Sequence, residues 1–160
     1  MNKVVIATRE SELALWQANR IKELLLNAEP DLDIEILGMT TEGDQKLDTS
    51  LAKIGGKGLF IKELEQAMLD GRADIAVHSM KDVPVTIPNG FCMPAILDRE
   101  DVRDAFVSSK YRQLSDVPEG GIIGTSSYRR ESQIRNQFKG LTVHPLRGNV
   151  QTRLRKLDEE

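Results

Sequence analysis

The stretch Ile75-Ala76-Val77-His78-Ser79-Met80-Lys81-Asp82-Val83-Pro84 passes from a short apolar run directly into a cluster of ionisable side chains. Such a run predicts a buried strand, so the ionisable groups lie at its carboxyl end. Ligands of open α/β sheets bind at that edge. Because an unpaired buried charge is costly, Lys81 and Asp82 predict a ligand site there.

Strand and helix patterns alternate on both sides of this stretch and predict an α/β fold. Apolar runs predict strands at residues 4–7, 32–37, 75–77, 105–107, 122–123 and 141–143. Helical periodicity predicts helices after Ser11, from Phe60 to a stop at Gly71, after Ser127 and after Asn149. The segment 40–57 is too long for a simple connection, which is typical of lids and binding loops.

A run of charged residues at 98–104 separates two series of elements. A composition shift of this kind is typical of a crossing between lobes. We therefore expect a first lobe over residues 1–97 and a second lobe that begins over residues 98–160. No strand pattern follows the last helix, so we expect the second lobe to be incomplete.

Composition excludes several classes of protein. The chain has 160 residues, 39% of them hydrophobic and 29% charged, as in ordinary soluble globular proteins. Its net charge of -3 argues against nucleic-acid binding. Without a signal peptide or a long apolar stretch, we expect no membrane association and a cytoplasmic location. Cys92 is the single cysteine and lies in the apolar run 91–97, so we expect a buried core thiol. We predict no metal site.

Arginine follows three predicted strands at the point where a helix begins. The three junctions are Ala7-Thr8-Arg9-Glu10-Ser11, Gly124-Thr125-Ser126-Ser127-Tyr128-Arg129-Arg130 and Leu146-Arg147-Gly148-Asn149-Val150-Gln151-Thr152-Arg153. Arginines there oppose the helix macrodipole unless an anion binds to them and to the free N–H groups. The alternative is a solvated arginine pair on a surface helix. Three such junctions favour a ligand with several carboxylates. Phosphate is less favoured, because no P-loop or Rossmann glycine pattern follows a strand.

Asp82 is the odd member of this predicted basic site. We expect it to be ionised beside Lys81 and the arginines, and therefore to be a poor general acid. A fixed carboxylate can accept hydrogen bonds from N–H donors and stabilise developing positive charge. The alternative is that Asp82 is a turn or cap residue before Val83-Pro84. We interpret His78 as structural.

In order along the chain, these motifs resemble the hydroxymethylbilane synthase (porphobilinogen deaminase) family. The three arginine junctions and residues 76–84 carry the resemblance, together with Thr41-Glu42-Gly43-Asp44 and Gly55-Gly56-Lys57-Gly58-Leu59-Phe60. The resemblance implies a transferase of tetrapyrrole biosynthesis that joins four porphobilinogen molecules head to tail with release of ammonia. It also implies a dipyrromethane cofactor. The expected partners are porphobilinogen and the growing polypyrrole chain, whose carboxylates suit arginine.

The resemblance also implies roles for individual residues. Asp82 matches the family's catalytic aspartate, which bonds pyrrole N–H groups and stabilises the cationic azafulvene formed on loss of ammonia. The positions that match cofactor-binding or substrate-binding residues are Arg9, Ser11, Ser79, Lys81, Thr125, Ser127, Arg129, Arg130, Arg147 and Arg153. Lys53, Lys57 and Phe60 lie in a segment that resembles the family's mobile lid.

The family fold has three domains, of which the first two resemble type II periplasmic binding proteins with a cleft between them. By that likeness, residues 1–97 are domain 1 without its returning segment, and residues 98–160 are the first part of domain 2. The family attaches dipyrromethane through a cysteine of the third domain, which Cys92 does not match. We therefore expect a truncated two-lobed fold, a monomer, and no turnover by this chain alone. The alternative function is a non-catalytic anion-binding module of the same fold, although a pure anion trap gains nothing from Asp82.

Overall fold

The computed structural model describes residues 2–45, 58 and 60–159. In chain order its elements are β1 (Asn2–Arg9), α1 (Glu12–Ala28), β2 (Leu32–Met39), α2 (Glu42–Gln45), α3 (Lys62–Leu69), β3 (Ile75–Ala76), β4 (Ile122–Gly124), α4 (Tyr128–Gln137), β5 (Thr142–His144) and α5 (Val150–Glu159). Short 3₁₀ turns lie at Met80–Asp82 and Leu114–Asp116. The chain divides into two compact units, one up to Leu97 and one from Asp98. Whether these units are the family's first two domains stays a prediction.

A three-stranded parallel sheet of order β2-β1-β3 is the centre of the first unit. Its middle strand, β1, is apolar along most of its length because both faces are covered. Successive side chains of a strand point to opposite faces, and Ile6 packs with Ala18 of α1 while Ala7 packs with Leu64 and Ala67 of α3. Helices α1 and α3 therefore cover opposite faces of the sheet.

Local signals fix where α1 begins and where α3 ends. Ser11 is the N-cap of α1 and its Oγ accepts a hydrogen bond from the Ala14 amide, as predicted. The hydroxyl of buried Thr8 donates to the Ala14 carbonyl at 3.2 Å, which fixes the start of α1 above β1. Gly71, with φ of +70°, follows the end of α3, as the glycine stop predicted. Helix α3 begins at Lys62, slightly later than predicted.

The second unit contains the parallel pair β4 and β5, with Ile122 opposite Thr142. Ser127 caps α4 through a bond from the Arg130 amide at 3.4 Å. The Asn149 side chain accepts a bond from the Thr152 amide at 2.9 Å at the start of α5. The predicted alternation of strand and helix is confirmed here.

Two predictions for residues 91–107 are wrong. Residues 105–107 form no strand, and Phe106 and Val107 remain 37% and 53% exposed. Cys92 is exposed rather than buried. An apolar run becomes a buried strand only where a neighbouring strand supplies hydrogen bonds and another layer covers it. Neither segment pairs with a strand within the part of the chain that the structure describes.

Candidate functional site

The carboxyl ends of β1 and β3 lie side by side, because Ala7 pairs with Ala76. This pairing brings Arg9 and Asp82 together, with Arg9 Nη1 3.9 Å from Asp82 Oδ2. A pocket of about 30 Å³ lies here, which is room for one or two water molecules. Its polar lining consists of Arg9, Ser11, Gln17, His78, Ser79 and Asp82.

Arg9 is held in place from several directions. Its Nε donates to Asp44 Oδ2 at 3.0 Å, and its Nη2 donates to Asp44 Oδ1. The ring of Phe60 lies over the guanidinium, with its centroid 4.3 Å from Arg9 Cζ. The Asp44 carboxylate accepts bonds from the hydroxyl and the amide of buried Thr41, at 2.8 and 3.3 Å. Burial raises the pKa of Asp44, but the bonds from Arg9 and Thr41 outweigh it and hold that pKa below its usual range.

Asp82 lies at the end of the 3₁₀ turn Met80–Asp82, where its amide donates to the Ser79 carbonyl at 2.9 Å. The alternative prediction, that Asp82 is a turn residue, is therefore correct for the local backbone. The same turn places the Asp82 side chain, which is 23% exposed, beside Arg9. Lys81 of the same turn is exposed and does not line the pocket.

His78 and Gln17 complete the polar lining. Burial lowers the pKa of His78, an effect that Asp82 opposes and Arg9 reinforces, so the imidazole is neutral at pH 7. Gln17 accepts a bond from the Ser79 hydroxyl at 3.1 Å. Sequence reasoning missed Gln17, although its signal was present: it is a polar residue on the helix face that carries Ala14 and Ala18.

In the second unit, hydrogen bonds tie together the loops that follow β4 and β5. The Ser126 hydroxyl donates to the Leu146 carbonyl at 3.0 Å, and the Ser127 amide donates to Thr125 Oγ1 at 3.1 Å. Arg153 donates from Nε to the Gly148 carbonyl at 2.8 Å. The predicted hydroxyl residues thus lie at one edge of this small sheet, with Arg153 bound to the second of these loops.

At this edge the charges of two arginines act on a third, Arg153. Burial lowers the pKa of Arg153, and the charges of Arg130 and Arg147 lower it further. Guanidinium groups that repel each other in this way form a positive site suited to a ligand with several carboxylates.

Asp104 is a residue that sequence reasoning placed in a linker. Its carboxylate accepts bonds from both terminal nitrogens of Arg129, at 2.6 and 2.8 Å, and from Nε of Arg130 at 2.8 Å. These hydrogen bonds hold the pKa of Asp104 well below its usual range. The two arginines predicted to bind ligand therefore already share a carboxylate of this chain.

Two of the predicted lid residues, Lys53 and Lys57, lie outside the described residues, and Phe60 is the lid residue that the structure places. Across the described ranges no group of three or more His, Cys, Asp or Glu side chains could hold a metal ion. None of the helices described here is both long and apolar enough to cross a membrane.

The parallel strands lead into segments that carry arginines and serines. This arrangement defines an α/β protein with strand-end sites suited to anions. The chain belongs to the porphobilinogen deaminase family: the family model described as "Porphobilinogen deaminase, dipyromethane cofactor binding domain" matches residues 4–160. The resemblance seen in the motifs is thereby confirmed.

Curated relatives agree with this assignment. The chain is 64% identical over 159 residues to the porphobilinogen deaminase of Chromobacterium violaceum, which covers 99% of this chain and 52% of that relative. It is 68% identical over 157 residues to that of Nitrosomonas europaea, covering 98% of this chain and 51% of the relative. The protein of the same name from Laribacter hongkongensis is 62% identical over 159 residues. The chain spans about half the length of the curated relatives it matches.

Proposed function

We propose that the full-length protein that carries this chain is a transferase of tetrapyrrole biosynthesis. It condenses four porphobilinogen molecules into hydroxymethylbilane and releases ammonia. Membership of the porphobilinogen deaminase family supports this proposal. The structural observation that carries it is the position of Asp82, whose carboxylate lies 3.9 Å from Nη1 of Arg9, while Asp44 takes the hydrogen bonds from the other edge of that guanidinium.

The residues present fit the dipyrromethane named by the family model. Pyrroles of this kind carry acetate and propionate groups, which guanidinium forks and hydroxyls bind well. The residues that would hold carboxylates are Arg9, Ser11, Ser79, Lys81, Thr125, Ser127, Arg129, Arg130, Arg147 and Arg153. When bound, dipyrromethane supplies the primer to which new units are added.

Asp82 would act by electrostatics. Its carboxylate oxygens can accept hydrogen bonds, so it suits the pyrrole N–H groups of a bound unit. Loss of ammonia leaves positive charge on the substrate, and a fixed carboxylate in a partly desolvated site stabilises that charge. His78, neutral beside it, adds no competing positive charge.

We propose further that residues 1–97 correspond to the first lobe of a type II periplasmic-binding-protein-like fold without its returning segment, and residues 98–160 to the first part of the second lobe. The parallel sheet order β2-β1-β3 and the boundary at Leu97 support this assignment. A monomer in the cytoplasm, with no nucleic-acid partner, stays a prediction.

The test uses the full-length protein, porphobilinogen and an aldehyde stain for pyrroles. We expect Asp82→Asn to lower kcat by about 10²–10³-fold, the typical cost of removing one electrostatic stabiliser. Glu35→Gln, which removes an exposed ion pair with Lys3, is the matched control and should retain wild-type turnover. Absence of turnover in the wild type, with tighter anion binding in Asp82→Asn, would instead favour an anion-binding module.

A further inference from the structure

Arg9 stands between two carboxylates and is shared unequally. Asp44 takes one edge of the guanidinium through Nε, at 3.0 Å, and Nη2. The remaining terminal nitrogen, Nη1, is 3.9 Å from Asp82. A charge-assisted hydrogen bond spans about 2.7–2.9 Å, so the contact with Asp82 is an ion pair without a hydrogen bond.

The unequal sharing is built into the fold. Thr41 is fully buried and anchors Asp44 with its hydroxyl at 2.8 Å. Arg9 Cζ lies over the Phe60 ring, 4.3 Å from its centroid. Asp44 is thus held by Thr41, the residue that precedes α2, and Arg9 is held by Asp44 and Phe60.

The consequence concerns what Asp82 is free to do. A carboxylate already joined to arginine through two hydrogen bonds has few acceptor positions left for a ligand. Asp44 is the carboxylate that accepts two hydrogen bonds from Arg9. Both oxygens of Asp82 are therefore free of an arginine hydrogen bond. Among the described residues, these two are the carboxylates within 4 Å of Arg9.

We propose that Asp44 is a positioning residue that keeps Arg9 from closing onto Asp82. This inference rests on the proposed function, in which Asp82 accepts pyrrole N–H groups. Without Asp44, the guanidinium of Arg9 rotates onto Asp82 and forms the paired arrangement there. Asp82 then becomes a structural ion-pair partner and is lost to the ligand.

The experiment is Asp44→Asn in the full-length protein. We expect kcat to fall at least tenfold while KM for porphobilinogen stays unchanged or decreases, because Arg9 remains present. A crystal structure of the variant should show the Arg9–Asp82 distance shortened from 3.9 Å to that of a hydrogen bond. Asp44→Glu, which keeps the carboxylate, should recover part of kcat. Glu35→Gln again serves as the exposed control.

A background variant separates positioning from a general structural role. If capture of Asp82 by Arg9 is the cause, then Asp44→Asn should have no further effect on kcat in the Arg9→Gln variant.

Should Asp44→Asn fail to fold, Thr41→Val weakens the same anchor, and a smaller change in the same direction is expected. The proposal is overturned if kcat and the Arg9–Asp82 distance both stay at wild-type values, or if only KM rises. Absence of turnover in the wild type would reject the proposed function, whereas the distance in Asp44→Asn still decides the role of Asp44.

Discussion

Arg129 donates hydrogen bonds from both terminal nitrogens to the carboxylate of Asp104, at 2.6 and 2.8 Å. This pair joins the segment before β4 to the first turn of α4. It also means that a ligand carboxylate would compete with Asp104 for Arg129. Both terminal nitrogens of Arg129, a predicted anion-binding residue, thus bond to the same carboxylate.

The Asp104 pair predicts a specific acid response. The pKa of Asp104 is depressed in the folded protein, so the pair stabilises the fold above the unfolded pKa of about 3.9 and loses that effect as pH falls towards the folded pKa. Arg129→Gln should raise the pKa of Asp104, as measured by NMR titration of its carboxyl carbon. Arg135→Gln removes the Glu131 ion pair on the same helix and should leave Asp104 unaffected. An Asp104 titration that is the same in Arg129→Gln and the wild type would contradict the prediction.

His78 should report the charge of Asp82. Burial lowers the pKa of His78 and Asp82 opposes that effect, so Asp82→Asn should lower it further. Because the folded pKa lies below the unfolded value of about 6.5, stability should decrease as pH falls from that value towards the folded pKa. NMR titration of the imidazole protons, assigned with His78→Gln, measures the shift. Asp70→Asn, at the end of α3, is the control, and a raised His78 pKa in Asp82→Asn would refute the prediction.

Gly43 is buried and leaves no room for a methyl group, since a Cβ there would lie 2.3 Å from the Phe60 ring. Gly43→Ala should therefore displace Phe60 from Arg9 and destabilise the protein by about 1–3 kcal/mol, as overpacking typically does. Phe60→Leu should relieve the clash, so the double variant should cost less than the sum of the two single variants. Urea unfolding of the four proteins measures this coupling. If the losses in free energy of unfolding of the two single variants simply add in the double variant, the contact with Phe60 does not cause the destabilisation by Gly43→Ala.

Ser11 has two separable roles, as a helix cap and as a proposed ligand donor. Ser11→Ala should lower the free energy of unfolding by about 1 kcal/mol through loss of the cap. Ser11→Asp should keep the cap but repel ligand carboxylates, so stability is retained while the full-length protein's KM for porphobilinogen, its proposed substrate, rises. The same pair of changes at Ser127, the cap of α4, is the matched comparison in the second unit. An unchanged KM in Ser11→Asp would show that Ser11 caps the helix but does not bind the ligand.

The elements that sequence predicts well are those specified by local signals. Ser11, Ser127 and Asn149 are caps whose side chains accept bonds from amides three residues ahead, so the starts of three helices could be read from short patterns. The central strand β1 could be predicted because a strand covered on both faces needs an unbroken apolar run. The short helix Glu42–Gln45, inside the predicted loop, has no such apolar pattern.

The interactions that sequence does not reveal are those between distant residues. Asp44 and Asp104 look like ordinary acidic residues of a turn and a linker, and only the fold places them against Arg9 and Arg129. Residues 105–107 carry the composition of a strand, but composition does not state whether a partner strand is present. The neighbours of a side chain depend on tertiary structure, which a pattern of a few residues cannot contain.

The pairing of Ile6 with Ile75 has a consequence for how the protein folds. Strands β1 and β2 are close in sequence and can associate early, whereas β3 must return across the whole intervening chain, and such contacts of high sequence separation form slowly. Arg9 ends β1 and Asp82 follows β3, so the two charges meet only when β3 joins β1. Their proximity therefore reports that the three-stranded sheet is complete.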